Sequence, residues 1–116
     1  KLINNYLCGV QAASLAEAVV LIERSGLDRE RALEILNSGA PGSPLVKTLS
    51  TRMTSRNYEV NFLLRLMQKD LNYATQEADQ YGVRFNMGLA AAKIFEHASK
   101  FDWGEKDFSA VVEALR

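Results

Sequence analysis

The stretch that decides the fold is KLINNYLCGVQAASLA, residues 1–16, in which no charged residue follows Lys1. Helices on the surface of a globular protein carry a charged face opposite an apolar one. Because this stretch lacks a charged face, it predicts a helix from Lys1 to Arg24 that is enclosed on most sides by protein. It is too short and too rich in amides for a membrane span, which needs roughly 20 mainly apolar residues.

Polar side chains interrupt this helix at a regular spacing. Residues three and four apart share a helix face, so Lys1, Asn4, Asn5 and Cys8 form one polar stripe. Burying such groups without partners costs on the order of 1–3 kcal/mol for each group. The stripe therefore needs either internal partners or a wet cavity that holds a ligand. The residues alone leave two interpretations open, a structural amide network beside a solvated Lys1, or a binding site.

The start of this helix has no capping residue. A helix normally opens with Ser, Thr, Asp or Asn before its first periodic residue. Here the chain starts inside the apolar pattern and without a Met. We therefore expect the sequence to begin within a longer helix of a larger protein.

Composition limits the function classes. The 116 residues suit one domain, residues 1–116, and 14 basic residues balance 14 acidic ones. This balance produces no net field for nucleic acid or an anionic membrane, so neither partner is expected. The single Cys8 fits a reducing compartment, and we expect the cytoplasm or an organelle such as the mitochondrion. The lone His97 has no neighbour in metal-ligand spacing, and no glycine-rich phosphate loop is present.

Glycine and capping residues divide the rest of the chain into further helices. The predicted helices run from Asp28 to Asn37, Leu45 to Thr54, Phe62 to Tyr81, Met87 to Lys100 and Phe108 to Arg116, the last one capped by Asp107. No segment alternates with the period of a strand. The sequence therefore predicts an all-α domain.

Four blocks in order resemble the β-hydroxyacid dehydrogenase family, which includes 3-hydroxyisobutyrate dehydrogenase and tartronate semialdehyde reductase. Lys1-Leu2-Ile3-Asn4-Asn5 resembles its Lys-x-x-Asn-Asn signature. Ala16-Glu17-Ala18 with the turn at Ser25-Gly26-Leu27-Asp28 is similar to the rest of the same helix. Phe62 with Met67-Gln68-Lys69-Asp70-Leu71 resembles the Phe-x-x-x-Leu-x-x-Lys-Asp-Leu block, and Gly104 to Ala110 the Gly-x-x-Asp-x-Ser-Ala ending. The resemblance covers the whole chain.

This resemblance implies a carboxy-terminal helical bundle like that of 6-phosphogluconate dehydrogenase, preceded in the family by a Rossmann domain that this chain does not contain. It implies NAD or NADP as cofactor, bound mainly by that missing domain, a small carboxylate substrate and a homo-oligomer. Lys1 matches the family's acid/base lysine, and Asn4 and Asn5 the residues that position the substrate. Lys69 and Phe62 match cleft residues near the cofactor.

The implied reaction interconverts a small β-hydroxyacid and its semialdehyde or keto form by hydride transfer. The chain is expected to be inactive alone, because the cofactor domain is missing. A second interpretation stays open, a non-catalytic helical dimerisation or adaptor module. The apolar first helix and the patch at Ala90-Ala91-Ala92 suit helix docking between chains.

Overall fold

The computed structural model describes residues 1–116 and confirms the prediction of an all-α domain. The helices are α1 (Leu2–Ser25), α2 (Arg29–Ser38), α3 (Pro44–Ser55), α4 (Leu64–Gln80), α5 (Asn86–Lys100) and a closing 3₁₀-helix (Phe108–Ala114). Predicted capping residues account for several boundaries. Asp28 accepts a hydrogen bond from the backbone N–H of Arg31, and Gly26 takes the left-handed conformation (φ 79°) after α1.

Helix α1 is the centre of the domain and contacts α3, α4, α5 and the 3₁₀-helix. Its middle is buried, with Ala12 and Ala16 fully inaccessible and Val19 only 1% exposed. The expected enclosure was wrong for the first two turns, because Ile3 is 70% and Leu7 50% exposed. The prediction that this stretch is too short and too rich in amides for a membrane span was wrong, because α1 could cross a bilayer by length and composition. Its buried middle is nevertheless typical of a core helix.

The crossing of α1 and α4 depends on Gly9. A Cβ at this position would lie 2.9 Å from the side chains of both Leu71 and Met67, closer than a real Cβ contact allows. Glycine therefore permits the two helices to approach each other closely. The approach brings the polar stripe of α1 against the first half of α4.

Helix α4 starts two residues later than predicted, because Phe62 and Leu63 belong to an extended segment. Leu63 is in the extended region (φ −63°, ψ 134°) and forms a β-bridge with Asp107. The first backbone N–H groups of α4 donate to the carbonyls of Lys106 (2.9 Å) and Gly104 (3.1 Å). This loop supplies the partners that a side-chain cap supplies elsewhere.

The last predicted helix is a 3₁₀-helix that ends at Ala114 rather than an α-helix that reaches Arg116. Its cap prediction is confirmed, since Asp107 accepts a hydrogen bond from the N–H of Ser109. Val111 and Val112 are fully buried in the common core. This short segment packs against α1, α3, α4 and α5, and its burial fixes the carboxyl end of the chain against the bundle.

Candidate functional site

The polar stripe of α1 has one free end and one anchored end. Lys1 is exposed, and its ammonium forms no ion pair, although its carbonyl accepts the N–H of Asn5 at 3.0 Å. Asn4 is also exposed and donates its amide to Oδ1 of Asn5 at 3.3 Å. Asn5 is half-buried. The side chain of Lys1 is therefore available to a ligand, while Asn5 has partners inside the chain.

The anchor is a contact between α1 and α4. Nδ2 of Asn5 donates to Oδ2 of Asp70 at 2.6 Å, in a half-buried position. Hydrogen bonds with one charged partner are shorter and stronger than neutral ones. This contact joins two sequence blocks that lie 65 residues apart. Sequence reasoning missed the role of Asp70, and the available signal was its place in the Met67–Leu71 block.

Lys69 precedes Asp70 and stays exposed on α4. Its Nζ lies 5.9 Å from the ring centroid of Tyr73, within the range of a cation–π contact. No carboxylate pairs with it. Its positive charge is therefore available to an anionic group.

Phe62 lies in a different environment, at the entry to α4 and seven residues before Lys69. The ring is half-buried and meets Phe108 edge-on, with centroids 6.0 Å apart and an interplanar angle of 89°. The carbonyl of Phe62 accepts the N–H of Phe108 at 2.8 Å. The structure thus joins Asn4, Asn5 and Asp70 directly and attaches Phe62 to the carboxyl-terminal segment instead.

Asp107 holds that segment together. It is 1% exposed and accepts hydrogen bonds from the N–H groups of Asn61 (2.9 Å), Phe62 (3.0 Å) and Ser109 (3.0 Å) and from the Ser109 hydroxyl (2.5 Å). Burial alone would raise the pKa of Asp107, but these hydrogen bonds together hold it below its ordinary value of 3.8. Nε of Arg52 lies 3.5 Å from the same carboxylate. Asp107 is therefore a buried anion that organises two loops.

A second ionic cluster ties the last residue to the bundle. Arg116 donates to both carboxylate oxygens of Glu23 at 3.0 and 2.9 Å and to Glu113 at 2.7 Å. The hydrogen bond from Arg116 lowers the pKa of Glu23 despite the opposing effect of burial. Burial and a 2.6 Å hydrogen bond to Glu113 raise the pKa of the Tyr58 hydroxyl far above its ordinary value of 10.0. This cluster stabilises the fold and lies outside the predicted site.

No group of three or more His, Cys, Asp or Glu side chains in the chain could hold a metal ion. Two of the predicted residues, Lys69 and Phe62, carry chemical groups of the kind that a nicotinamide cofactor contacts. An unpaired ammonium at Lys69 suits a phosphate or carboxylate, and the half-buried ring of Phe62 suits an apolar face. The chain contains no glycine-rich phosphate loop of its own.

Comparison with known proteins identifies the family of the chain. Residues 1–115 match the family described as "NAD-binding of NADP-dependent 3-hydroxyisobutyrate dehydrogenase". Glyoxylate/succinic semialdehyde reductase 1 of Arabidopsis thaliana is 34% identical over 116 residues, which are 100% of this chain and 40% of that protein. The cytokine-like nuclear factor N-PAC of Anopheles gambiae is 29% identical over 115 residues, 99% of this chain and 20% of that protein.

Similarity in structure extends over the same residues. A crystal structure of 3-hydroxyisobutyrate dehydrogenase from Salmonella typhimurium superposes with a TM-score of 0.91 at 25% identity, covering 97% of this chain and 40% of that one. The chain spans about two fifths of the length of the reductase and of this dehydrogenase. Since the family match covers nearly every residue, this chain belongs to the β-hydroxyacid dehydrogenase family, whose members are NAD(P)-dependent oxidoreductases.

Proposed function

We propose that this chain is the carboxy-terminal domain of an NAD(P)-dependent oxidoreductase that interconverts a small β-hydroxyacid and its semialdehyde or keto form. Lys1 is the acid/base, Asn4 and Asn5 bind the substrate, and Lys69 and Phe62 face the cofactor. The observation that carries this proposal is the 2.6 Å contact between Asn5 and Asp70. It brings the Lys-x-x-Asn-Asn block of α1 beside the Lys-Asp-Leu block of α4.

The chemistry assigns a separate task to each residue. The cofactor, when bound, accepts or supplies the hydride. During reduction of a carbonyl, the ammonium of Lys1 donates a proton to the oxygen on which negative charge develops, and during oxidation the amine removes it. Asn5 can donate only one of its two amide hydrogens to Asp70, so the other remains for a substrate oxygen. Asn4, one residue earlier and exposed, is the more adaptable of the two amides.

Two features of the chain support the partners that this proposal requires. A separate Rossmann domain of the same protein holds most of the cofactor in this proposal, which is consistent with a chain that has no glycine-rich phosphate loop. Exposed apolar side chains line a groove of about 430 Å³ at the start of α1, formed with Tyr81, Val83 and Phe85. We propose that the Rossmann domain and further copies of the protein cover apolar surface of this kind. The balanced charge supports neither a nucleic-acid nor a membrane partner. We propose that the protein works in the cytoplasm or in an organelle such as the mitochondrion.

The test uses the protein with its cofactor domain and follows nicotinamide absorbance with a panel of short β-hydroxyacids and semialdehydes. We expect Lys1→Ala to lower kcat by roughly 10²–10⁴-fold, the usual contribution of a positioned acid/base group. Lys1→Arg keeps the positive charge but cannot give up its proton, so it should be nearly as inactive. The matched control is Lys47→Ala, which removes another exposed lysine, from α3.

Each outcome has a definite meaning. Activity within twofold of the unaltered protein in Lys1→Ala, with folding unchanged by circular dichroism, would exclude Lys1 as the acid/base. A Lys1→Arg variant that retains kcat would show that the charge acts without proton transfer. Absence of turnover with every substrate and both cofactors would favour the second candidate below.

The second candidate is a non-catalytic dimerisation or adaptor module. It is favoured by one observation, the match over 99% of this chain to a protein named as a nuclear factor rather than as a dehydrogenase. A module needs an apolar contact surface but no reactive lysine. It therefore predicts that Lys1→Ala leaves every property unchanged, whereas Ile3→Asp, at a 70% exposed apolar position, dissociates the assembly in light scattering.

A further inference from the structure

The position of Phe62 is set by a segment that has no helix of its own. Residues 57–63 precede α4 and run beside residues 103–108, to which they are joined by backbone hydrogen bonds. The N–H of Asp107 donates to the carbonyl of Tyr58 at 3.0 Å, and the N–H of Phe108 donates to that of Phe62 at 2.8 Å. A short extended pair of this kind is marginally stable without further support. The side chain that supplies the support is the carboxylate of Asp107.

The two oxygens of this carboxylate serve different neighbours. Oδ1 accepts the N–H groups of Asn61 at 2.9 Å and Phe62 at 3.0 Å. Oδ2 accepts the N–H and the hydroxyl of Ser109 and faces Nε of Arg52 at 3.5 Å. Oδ1 therefore fixes the backbone that carries the Phe62 ring, while Oδ2 fixes the start of the 3₁₀-helix.

We propose that Asp107 is a positioning residue for the reaction: through Oδ1 it fixes the backbone at Asn61 and Phe62 and so sets the Phe62 ring in the cofactor cleft. The inference rests on the proposed function, in which Phe62 faces the cofactor. Asp107 itself is 1% exposed and does not reach a ligand. Its effect on catalysis therefore has to pass through Phe62.

Two substitutions separate the tasks of the two oxygens. Asp107→Asn keeps one oxygen acceptor, which can still receive the N–H groups of Asn61 and Phe62, but it places an NH₂ group opposite the N–H of Ser109. Ser109→Ala removes only the hydroxyl donor on the Oδ2 side. Both variants lose stability, since buried polar groups lose partners, yet both leave an acceptor for the Phe62 N–H. Asp107→Ala removes that acceptor as well.

The experiment measures three quantities for Asp107→Ala, Asp107→Asn, Ser109→Ala and Phe62→Leu in the protein with its cofactor domain. These are kcat/KM for substrate and cofactor, the melting temperature, and hydrogen-exchange protection of the Phe62 amide. We expect kcat/KM to follow Phe62 amide protection and not the melting temperature. Asp107→Ala should lose roughly tenfold to a hundredfold in kcat/KM, the scale of a misplaced contact group. Combining it with Phe62→Leu should cause no further loss, because both changes remove the same contact.

The opposite pattern would overturn the inference. In one such outcome kcat/KM follows the melting temperature, so that Ser109→Ala and Asp107→Ala lower kcat/KM equally at an equal loss of stability. In the other, the losses in kcat/KM of Asp107→Ala and Phe62→Leu multiply in the double variant. If Asp107→Ala does not fold, Asp107→Asn provides the test. The inference requires near-normal kcat/KM if its Phe62 amide stays protected from exchange, and reduced kcat/KM if that amide is unprotected. A Phe62→Leu variant with normal kcat/KM would instead refute the proposed role of Phe62, and normal Phe62 protection in Asp107→Asn and Asp107→Ala alike would refute the anchoring.

Discussion

The contact between Asn5 and Asp70 makes a quantitative prediction that needs no substrate. Asn5→Ala, Asp70→Ala and the double variant form a double-mutant cycle across α1 and α4. The expected result is a favourable coupling energy in the free energy of unfolding, because each single variant removes one partner of the same hydrogen bond. The perturbation is small in volume and leaves the core residues beneath it unchanged.

The magnitude follows from the length and exposure of the hydrogen bond. At 2.6 Å, with a carboxylate as acceptor, a buried example contributes about 1.5–3 kcal/mol. Both side chains are only half-buried, so water replaces part of the lost interaction in each single variant. We therefore expect a coupling energy of about 1 kcal/mol, below the range for a fully buried hydrogen bond. Asp70→Asn, which keeps a neutral acceptor at the same place, should retain roughly half of it.

Urea unfolding followed by circular dichroism measures each free energy of unfolding. The matched control is Asp79→Ala, which removes an exposed acid of α4 that has no side-chain partner, in a cycle with Asn5→Ala. This control should be additive within about 0.3–0.5 kcal/mol. If the Asn5–Asp70 cycle is equally additive, the two side chains are not bonded in solution, and the argument that brings the two sequence blocks into one site fails.

Three further predictions concern stability. Because Arg116 lowers the pKa of Glu23, the contribution of this carboxylate to stability is complete above its ordinary pKa of 4.5 and is lost as the pH falls through its pKa in the folded protein. The melting temperature should therefore fall below about pH 4.5, and it should fall less in Glu23→Gln. Gly9→Ala should destabilise the chain by about 1–3 kcal/mol in urea unfolding, since the new Cβ would lie 2.9 Å from the buried side chains of Leu71 and Met67. Gly104→Ala, with no atom nearer than 3.7 Å, should be tolerated. In an alkaline absorbance titration Tyr58 should ionise well above its ordinary pKa of 10.0, and Tyr58→Phe should remove that late step. Loss of a step near pH 10 in this variant would contradict the buried hydrogen bond.

The helices could be predicted because their signals are local. Asp28 caps α2 by accepting the N–H of Arg31, only three residues away. Gly26 takes a left-handed backbone conformation that other residues adopt at a cost. The start of α4 could not be predicted in the same way. Its first N–H groups are satisfied by carbonyls of Gly104 and Lys106, about 40 residues along the chain, and no local pattern reports such partners. The apolar residues Phe62 and Leu63 fit the helical period, but hydrogen bonds to a distant segment hold them extended, so α4 begins only at Leu64.

The candidate site shows the same division. Periodicity alone placed Asn4 and Asn5 in one stripe with Lys1 and Cys8, and in the structure the amide of Asn4 donates to Asn5. The partner on α4 depends on how closely the two helices cross, and at Gly9 the side chains of Leu71 and Met67 occupy the space that a Cβ would need. No local pattern therefore identified Asp70 as the partner of Asn5. Asp107, predicted as a helix cap, also anchors Phe62, because a carboxylate has a second oxygen that the capping pattern does not use.

The unpaired ammonium of Lys1 contributes less to the catalytic proposal than the amides beside it. The chain has six lysines, and of these only Lys100 forms an ion pair, so an unpaired lysine is the common case here. An asparagine that donates to a carboxylate of another helix is not common in this chain, because Asn5 and Asp70 form its only such pair. A structural role alone would be served as well by two apolar residues, since a half-buried polar pair gains little over them. The pair leaves one amide hydrogen of Asn5 without a partner one turn from Lys1, and the proposed function assigns that hydrogen to a substrate oxygen.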